Sequence, residues 1–349
     1  MSAIKSIFGK LPDGRTVHSF TLSCGSIKAT VVEYGATLIS LQTPDTTGTN
    51  EEITLCHRTL PDLQTGLPQC YYGATIGRVG NRIADGTFNI GETKYQCPTN
   101  NGPNCLHGGD VGFDKRLWSG EIVQGQAAVT FNLESPDGDQ GFPGEIRAAV
   151  TYSLTSENTL RLDYRATTNK PTALALTNHT YWNLSGNCRE KVLEHKFTMP
   201  ASQYLPIDET SIPTGIASVE NTPFDFRTTH TLGERIEDIG GDPGGYDHCY
   251  VNIDATQSDG LKEVAYVECI SSGRTMHVSS DQPGVQLYTG NYLDGKGAHV
   301  KHGGFCLETQ AFPDAINQWP VQVLLQPGEE WTSTTVHTFG VCSTNTIKK

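Results

Sequence analysis

The chain has 349 residues, enough for a sizeable core, and no Pro/Ser-rich linker or composition break divides it, so residues 1–349 read as one domain. Thirty-eight acids against 25 bases give a formal charge of -13, which repels phosphate backbones and anionic membranes and argues against nucleic-acid and membrane partners. The first residues lack the apolar stretch of a signal peptide, and no run of about 18 apolar residues is present to cross a bilayer, so a cytoplasmic protein is expected.

Ten cysteines are too dilute for a disulfide scaffold and form no CxxC pair; buried reduced thiols are expected. The 37 Gly and 18 Pro mark many short connections, and the runs between them alternate with period 2 more often than with period 3.6. An all-β protein follows, with stacked antiparallel sheets.

In chain order, Gly77-Arg78-Val79-Gly80-Asn81-Arg82 is glycine-rich and basic, but its spacing fits neither nucleotide-binding glycine motif. Asp85-Gly86 between Arg82-Ile83-Ala84 and Thr87–Ile90 predicts a hairpin. His107-Gly108-Gly109 is either an ordinary turn or a place where glycines let a ligand approach a histidine. Val129–Leu133 and Leu160–Ala166 alternate cleanly and predict strands with one wet side.

Leu174–Leu184, if extended, puts Leu174, Leu176, Trp182 and Leu184 on one face and Ala173, Ala175, Thr177, His179, Tyr181 and Asn183 on the other. Small residues leading to a histidine and a tyrosine leave room for a ligand, although a satisfied structural histidine fits the same pattern. The segment also contains two glycan-acceptor patterns, at Asn178 and Asn183, which fit a cytoplasmic protein better than a secreted one. Thr231 with Glu234 forms a capping-box pattern ahead of Leu232, Ile236 and Ile239 and predicts one short helix. Asp259-Gly260 precedes a predicted strand from Val264 to Ile270. Asp247-His248 and His299 with His302 lack the spacing of a zinc site, so no metal is expected.

Phe305-Cys306-Leu307-Glu308-Thr309-Gln310 sets one acid in an otherwise uncharged strand pattern. Alternation sends Phe305 and Leu307 to the core and Cys306, Glu308 and Gln310 to the other face, where the carboxyl must meet a polar cleft or a partner.

Six strings occur together in this order: Gly77–Ile83; Leu106–Gly109 followed by Gly112-Phe113-Asp114-Lys115 and Trp118; Asn178–Leu184; Gly245–His248; Gly284–Asn291; and Leu307–Gln310. Jointly they resemble the aldose 1-epimerases, or galactose mutarotases, and span most of the chain. The resemblance implies a galactose mutarotase-like supersandwich with few short helices and a sugar cleft. It further implies Glu308 as general base, His179 as general acid, and Asn81, Arg82, His107, Asp247 and Gln286 as sugar-binding residues, with Tyr181 and Trp182 as support or cleft wall. Cys249 stands where many of these relatives carry Asn, and the connection from Asn291 to Lys301 is shorter than in the animal enzymes.

The implied partner is a free aldose such as galactose or glucose, bound by a monomer or homodimer. Opening a hemiacetal needs one base at the anomeric hydroxyl and one acid at the ring oxygen, placed on opposite sides of the pyranose, and no cofactor. Ordinary values of about 4.3 for Glu and about 6.5 for His predict a carboxylate and a histidine raised modestly into the neutral range. Three other readings stay open. Glycoside hydrolysis takes two carboxyls, with Asp247 as the second. A hexose-6-phosphate epimerase needs a cationic clamp, for which only Arg78 and Arg82 stand ready. A non-catalytic sugar-binding or regulatory protein needs no matched acid and base.

Overall fold

The computed structural model describes residues 1–65, 70–188, 190–252, 260–294 and 299–342. Three antiparallel sheets dominate it. The first 52 residues form a five-stranded meander in chain order: Ser2–Lys10, Thr16–Cys24, Ile27–Val32, Thr37–Pro44 and Asn50–Glu52. A nine-stranded sheet follows, ordered Ser119–Ile122, Ala127–Ser135, Ile146–Thr155, Thr159–Thr168, Trp331–Val341, Arg274–Ser280, Lys262–Glu268, Lys196–Thr198 and His230–Thr231. The third has seven strands, ordered Ala217–Ser218, Gln203–Tyr204, Asp247–Val251, Gly284–Tyr288, Phe305–Gln310, Tyr181–Trp182 and Thr54–Leu55. Among the described residues the only α-helices are Leu60–Thr65 and Ala315–Gln318, and no helix is long and apolar enough to cross a membrane.

One apolar core joins all three sheets. Phe20, Leu22 and Val31 enter it from the meander, Phe131, Val150, Leu160 and Val278 from the nine-stranded sheet, and Tyr250, Val285, Leu287, Phe305 and Leu307 from the seven-stranded sheet. Burying each such side chain stabilises the fold by about 1.5–3 kcal/mol. The predicted strands at Val129–Leu133 and Leu160–Ala166 lie inside longer observed ones, and Leu160, Leu162, Tyr164 and Ala166 are buried between partly or fully exposed neighbours. All ten cysteines are free thiols, eight of them buried.

Three local expectations are corrected. Asp85-Gly86 does not close a hairpin: Arg82–Ile83 pairs with Cys105–Leu106, while Thr87–Ile90 pairs with Thr93–Gln96. The Asp85 amide donates to Asn104 Oδ1 (3.0 Å) and Gly86 O accepts from Cys97 N (2.7 Å), so the turn is drawn to neighbours outside its own two strands. The predicted helix is instead two 3-10 stretches, Leu232–Glu234 and Ile236–Ile239, with Arg235 between them at φ -131°. His230-Thr231 pairs with Lys196-Phe197, Glu234 lies 3.0 Å from His230 Nδ1, and the Thr231 side chain makes no cap hydrogen bond.

Leu174–Leu184 is not one strand either. It bonds in turn to Val323, Arg78, the pair Thr75-Ile76, Ala74, and finally Phe305-Cys306. Its alternation survives these changes of neighbour: Leu174, Leu176, Trp182 and Leu184 sit in the shared core, and Ala173, Ala175 and Tyr181 pack elsewhere. The strand predicted over Val264–Ile270 is observed as Lys262–Glu268, and Asp259 ahead of it lies outside the described residues.

Candidate active site

Three adjacent strands of the seven-stranded sheet present their non-core faces side by side. Asp247 pairs with Tyr288 and Cys249 with Gln286; across the next ladder Gln286 pairs with Glu308 and Tyr288 with Cys306, which also pairs with Tyr181. Period 2 makes this possible, since the residues between them, His248, Tyr250, Leu287 and Leu307, point to the other side. Above this floor lies a cleft of about 300 Å³ whose lining includes Glu308, His179, Asp247, Tyr181 and Tyr288.

The opposite wall comes from the two glycine-bearing motifs. Cys105-Leu106 pairs with Arg82-Ile83, and beyond this pair His107 N donates to Asn81 O (2.9 Å) while Asn81 N donates to His107 Nδ1 (3.1 Å). Gly108 turns the chain at φ 84°, and a Cβ there would run into the Gly77 carbonyl, so glycine is required where the motifs cross. Arg82 reaches Asn101 Oδ1 through Nε (3.1 Å) and lines the cleft.

Tyr71, Asn81 and His107 hold left-handed backbone, at φ 51°, 58° and 50°. Such conformations cost about 1–3 kcal/mol each and persist where surrounding structure dictates them. Here all three side chains face the cleft.

His179 is walled in by aromatic rings. Tyr181 stacks on it at 5.0 Å and Tyr71 lies at 5.6 Å, both 30° from its plane, while His107 and Tyr288 meet it edge-on at 5.3 and 6.3 Å. Its Nε2 lies 3.7 Å from Glu308 Oε1, and its Nδ1 lies 3.5 Å from Cys306 Sγ. Glu308 is 2% exposed and its Oε2 has no hydrogen-bond partner.

Burial pushes the Glu308 carboxyl well above the usual carboxylate range; Asp247 adds to the rise and Arg82 opposes it. Burial also lowers His179 to about 4, against the raising effects of its own main-chain carbonyl and of Asp247. His107 is driven well below its usual value by burial first, then by His179, Arg82 and Lys115. The prediction of an ionised glutamate beside a raised histidine is therefore corrected: the desolvated pair favours a proton on Glu308 and a neutral imidazole.

Six of the seven predicted site residues, Glu308, His179, Asn81, Arg82, His107 and Asp247, line one cleft. The seventh, Gln286, lies beneath it and donates from Nε2 to Asp247 Oδ1 (2.7 Å). Arg78 is structural: its guanidinium donates to Ser135 Oγ and to the carbonyls of Ser135, Pro136 and Pro143. Arg82 is thus the one arginine or lysine lining the cleft among the described residues, too little for a phosphate clamp. Trp182 packs into the core against His337 and Phe339, whereas Tyr181 is cleft wall. Cys249 is buried beneath the cleft, and residues 295–298 of the connection from Asn291 to Lys301 lie outside the described residues.

The sequence reading missed Tyr71 and gave Tyr288 and Cys306 no role. The last two were within reach, since each lies two residues from a predicted site residue on the same strand face.

His107, His179 and Glu308 bring one ligand atom each within 4.8 Å of one another. Because His107 Nδ1 accepts from the Asn81 amide, the neutral ring carries its proton on Nε2 and offers a cation no lone pair. Two donors remain, short of the three protein ligands of a catalytic zinc. His302 Nδ1 is engaged with Thr289 O (2.9 Å) and His299 packs edge-on to Tyr72 at 5.3 Å, so these two histidines have separate surroundings.

The profile of a family described as aldose 1-epimerase matches residues 18–338. Galactose mutarotase of Sus scrofa is 41% identical over 351 residues, covering 98% of this chain and 99% of its own. Aldose 1-epimerase of Escherichia coli K12 is 37% identical over 348 residues, covering 94% of this chain and 96% of its own. A crystal structure of an aldose epimerase homologue from C. elegans superposes with a TM-score of 0.84 at 30% identity, covering 93% of this chain and 98% of that one. Agreement at this level along almost the whole length leaves one assignment: the chain belongs to the aldose 1-epimerase family.

Proposed function

We propose that the protein interconverts the α and β anomers of free aldohexoses, galactose and glucose among them, with Glu308 as base and His179 as acid. The observation that carries this reading is the 3.7 Å approach of His179 Nε2 to Glu308 Oε1 at the floor of a cleft. In a cyclic aldose the anomeric hydroxyl and the ring oxygen share one carbon. An acid and a base whose nearest atoms lie this close can reach both of these oxygens in one orientation of the sugar.

The pair holds one proton between its two sites. In the reactive form Glu308 is the carboxylate and His179 the imidazolium, helped by Arg82, which lowers the carboxyl, while Asp247 raises both groups. Glu308 takes the proton of the anomeric hydroxyl, His179 Nε2 gives its proton to the ring oxygen, and the bond from C1 to the ring oxygen breaks. The open aldehyde turns about C1–C2. Closure on its other face reverses both transfers: Glu308 returns its proton to the aldehyde oxygen and His179 recovers one from the former ring oxygen. Opening discharges the pair and closure recharges it, so burial assists one half of the cycle and opposes the other. Asn81, Arg82, His107 and Asp247 hold the sugar hydroxyls, and Gln286 fixes Asp247.

Polarimetry on freshly dissolved α-D-glucose and α-D-galactose tests the reading. Wild type accelerates the decay of rotation above buffer, and Glu308→Gln does not. No acceleration by folded wild type on either sugar would reject it.

A further inference from the structure

We infer that Cys306 is a positioning residue: its sulfur accepts the Nδ1 proton of His179 and so reserves Nε2 as the nitrogen that exchanges protons with the sugar. The inference rests on the reading of His179 as the acid. Cys306 is fully buried two residues before Glu308 on the same strand, and its Sγ lies 3.5 Å from His179 Nδ1. On its strand Cys306 pairs with Tyr181 on one side and Tyr288 on the other.

The proton cycle dictates which way this contact must run. After His179 gives its Nε2 proton to the ring oxygen, the neutral ring keeps its proton on Nδ1 and holds a lone pair on Nε2, ready for closure. A thiol donating into Nδ1 would leave the neutral ring protonated at Nε2, unable to take a proton back from the sugar. The sulfur must therefore accept from Nδ1–H. Burial keeps the Cys306 thiol protonated, so the orienting group is neutral. A carboxylate in the same place would hold the same tautomer but add a charge that biases the single proton shared with Glu308. A thiol selects the tautomer and leaves that balance to the sugar, Asp247 and Arg82.

The test combines ¹⁵N NMR of histidine-labelled protein at pH 7 with steady-state mutarotation. The His179 signals are assigned by their loss in His179→Asn. In wild type, Nδ1 is protonated and Nε2 is not. Cys306→Ala gives a mixture of tautomers and lowers kcat about tenfold, the order expected for one modest hydrogen bond, with KM within about twofold. Cys306→Ser, whose hydroxyl oxygen also accepts, restores the tautomer and most of kcat. A wild-type spectrum with the neutral proton on Nε2 would overturn the inference, as would wild-type kcat in folded Cys306→Ala. Should the alanine variant not fold, the wild-type spectrum and the serine variant decide by themselves. Wild-type turnover in His179→Asn would instead remove the acid assignment, a failure distinct from these.

Discussion

The strand Phe305–Gln310 has two faces built on opposite terms. On one, Phe305 and Leu307 are packed into the core shared by all three sheets. On the other, Glu308 is just as buried, yet one carboxyl oxygen lacks a partner and its neighbour His179 stands 3.7 Å away. An apolar side chain removed from water stabilises the fold, whereas a desolvated, incompletely bonded carboxyl costs stability. The same backbone thus carries a face that holds the protein together and a face that gives up part of that stability at the proposed proton-transfer site. The core face makes the cleft face rigid, since six consecutive buried residues leave the strand no room to shift register.

Substitutions on the two faces should separate these roles. The largest effect on turnover is expected at the cleft: His179→Asn lowers kcat by about 10²–10⁴-fold, the usual contribution of positioned proton transfer, while its thermal melt remains cooperative. On the core face, Leu307→Ala removes about 2–5 kcal/mol of stability, and below its lowered melting temperature its kcat stays near wild type; denaturant titration and polarimetry together measure this. A large kcat loss in folded Leu307→Ala would erase the distinction. A smaller change is expected beneath the cleft, where Gln286→Ala frees the Asp247 carboxylate and raises KM about tenfold with little change in kcat, consistent with one charge-assisted hydrogen bond.

The pH profile sharpens the comparison further. In the proposed cycle the pair works with one proton, so activity is expected to fall when it gains a second. With burial holding His179 near 4, the acid limb of kcat/KM in free enzyme lies near that value and not near 6.5. An acid limb at 6.5 would mean the histidine is solvated. Stability has its own sign. The Glu308 carboxyl is raised in the folded chain, so its favourable contribution is complete below the ordinary carboxylate value of about 4.3 and is lost as pH rises through the folded value. His179 is lowered, so its contribution is present above about 6.5 and is lost as pH falls toward 4.

Much of this arrangement was legible in the sequence. The alternation of Phe305–Gln310 assigned each side chain to its observed face, because side-chain direction in a strand is local and periodic. The alternation of Leu174–Leu184 predicted the core residues correctly but not the changes of partner along the segment, since hydrogen-bond partners are set by distant chain. Asp85-Gly86 failed as a hairpin because Asn104 and Cys97 claim the groups that the local pattern assigns to the turn, and the helix from Thr231 is interrupted where Arg235 leaves helical backbone. Tyr71 left no trace, because its left-handed backbone and its place over His179 have no motif in Cys70-Tyr71-Tyr72. Nor was the protonation of the pair readable, because residue type gives the ordinary value and burial supplies the shift.

The division of roles between the two faces is tested most directly by Glu308→Gln, measured for both properties in the same preparation. Gln removes the ionisable group while keeping its shape. The account predicts that mutarotation of α-D-galactose falls by about 10²–10⁴-fold. It also predicts that the melting temperature at pH 8 rises by about 1–3 °C, with the gain shrinking toward pH 4. A variant that turns over within tenfold of wild type, or that melts lower than wild type at pH 8, would contradict it.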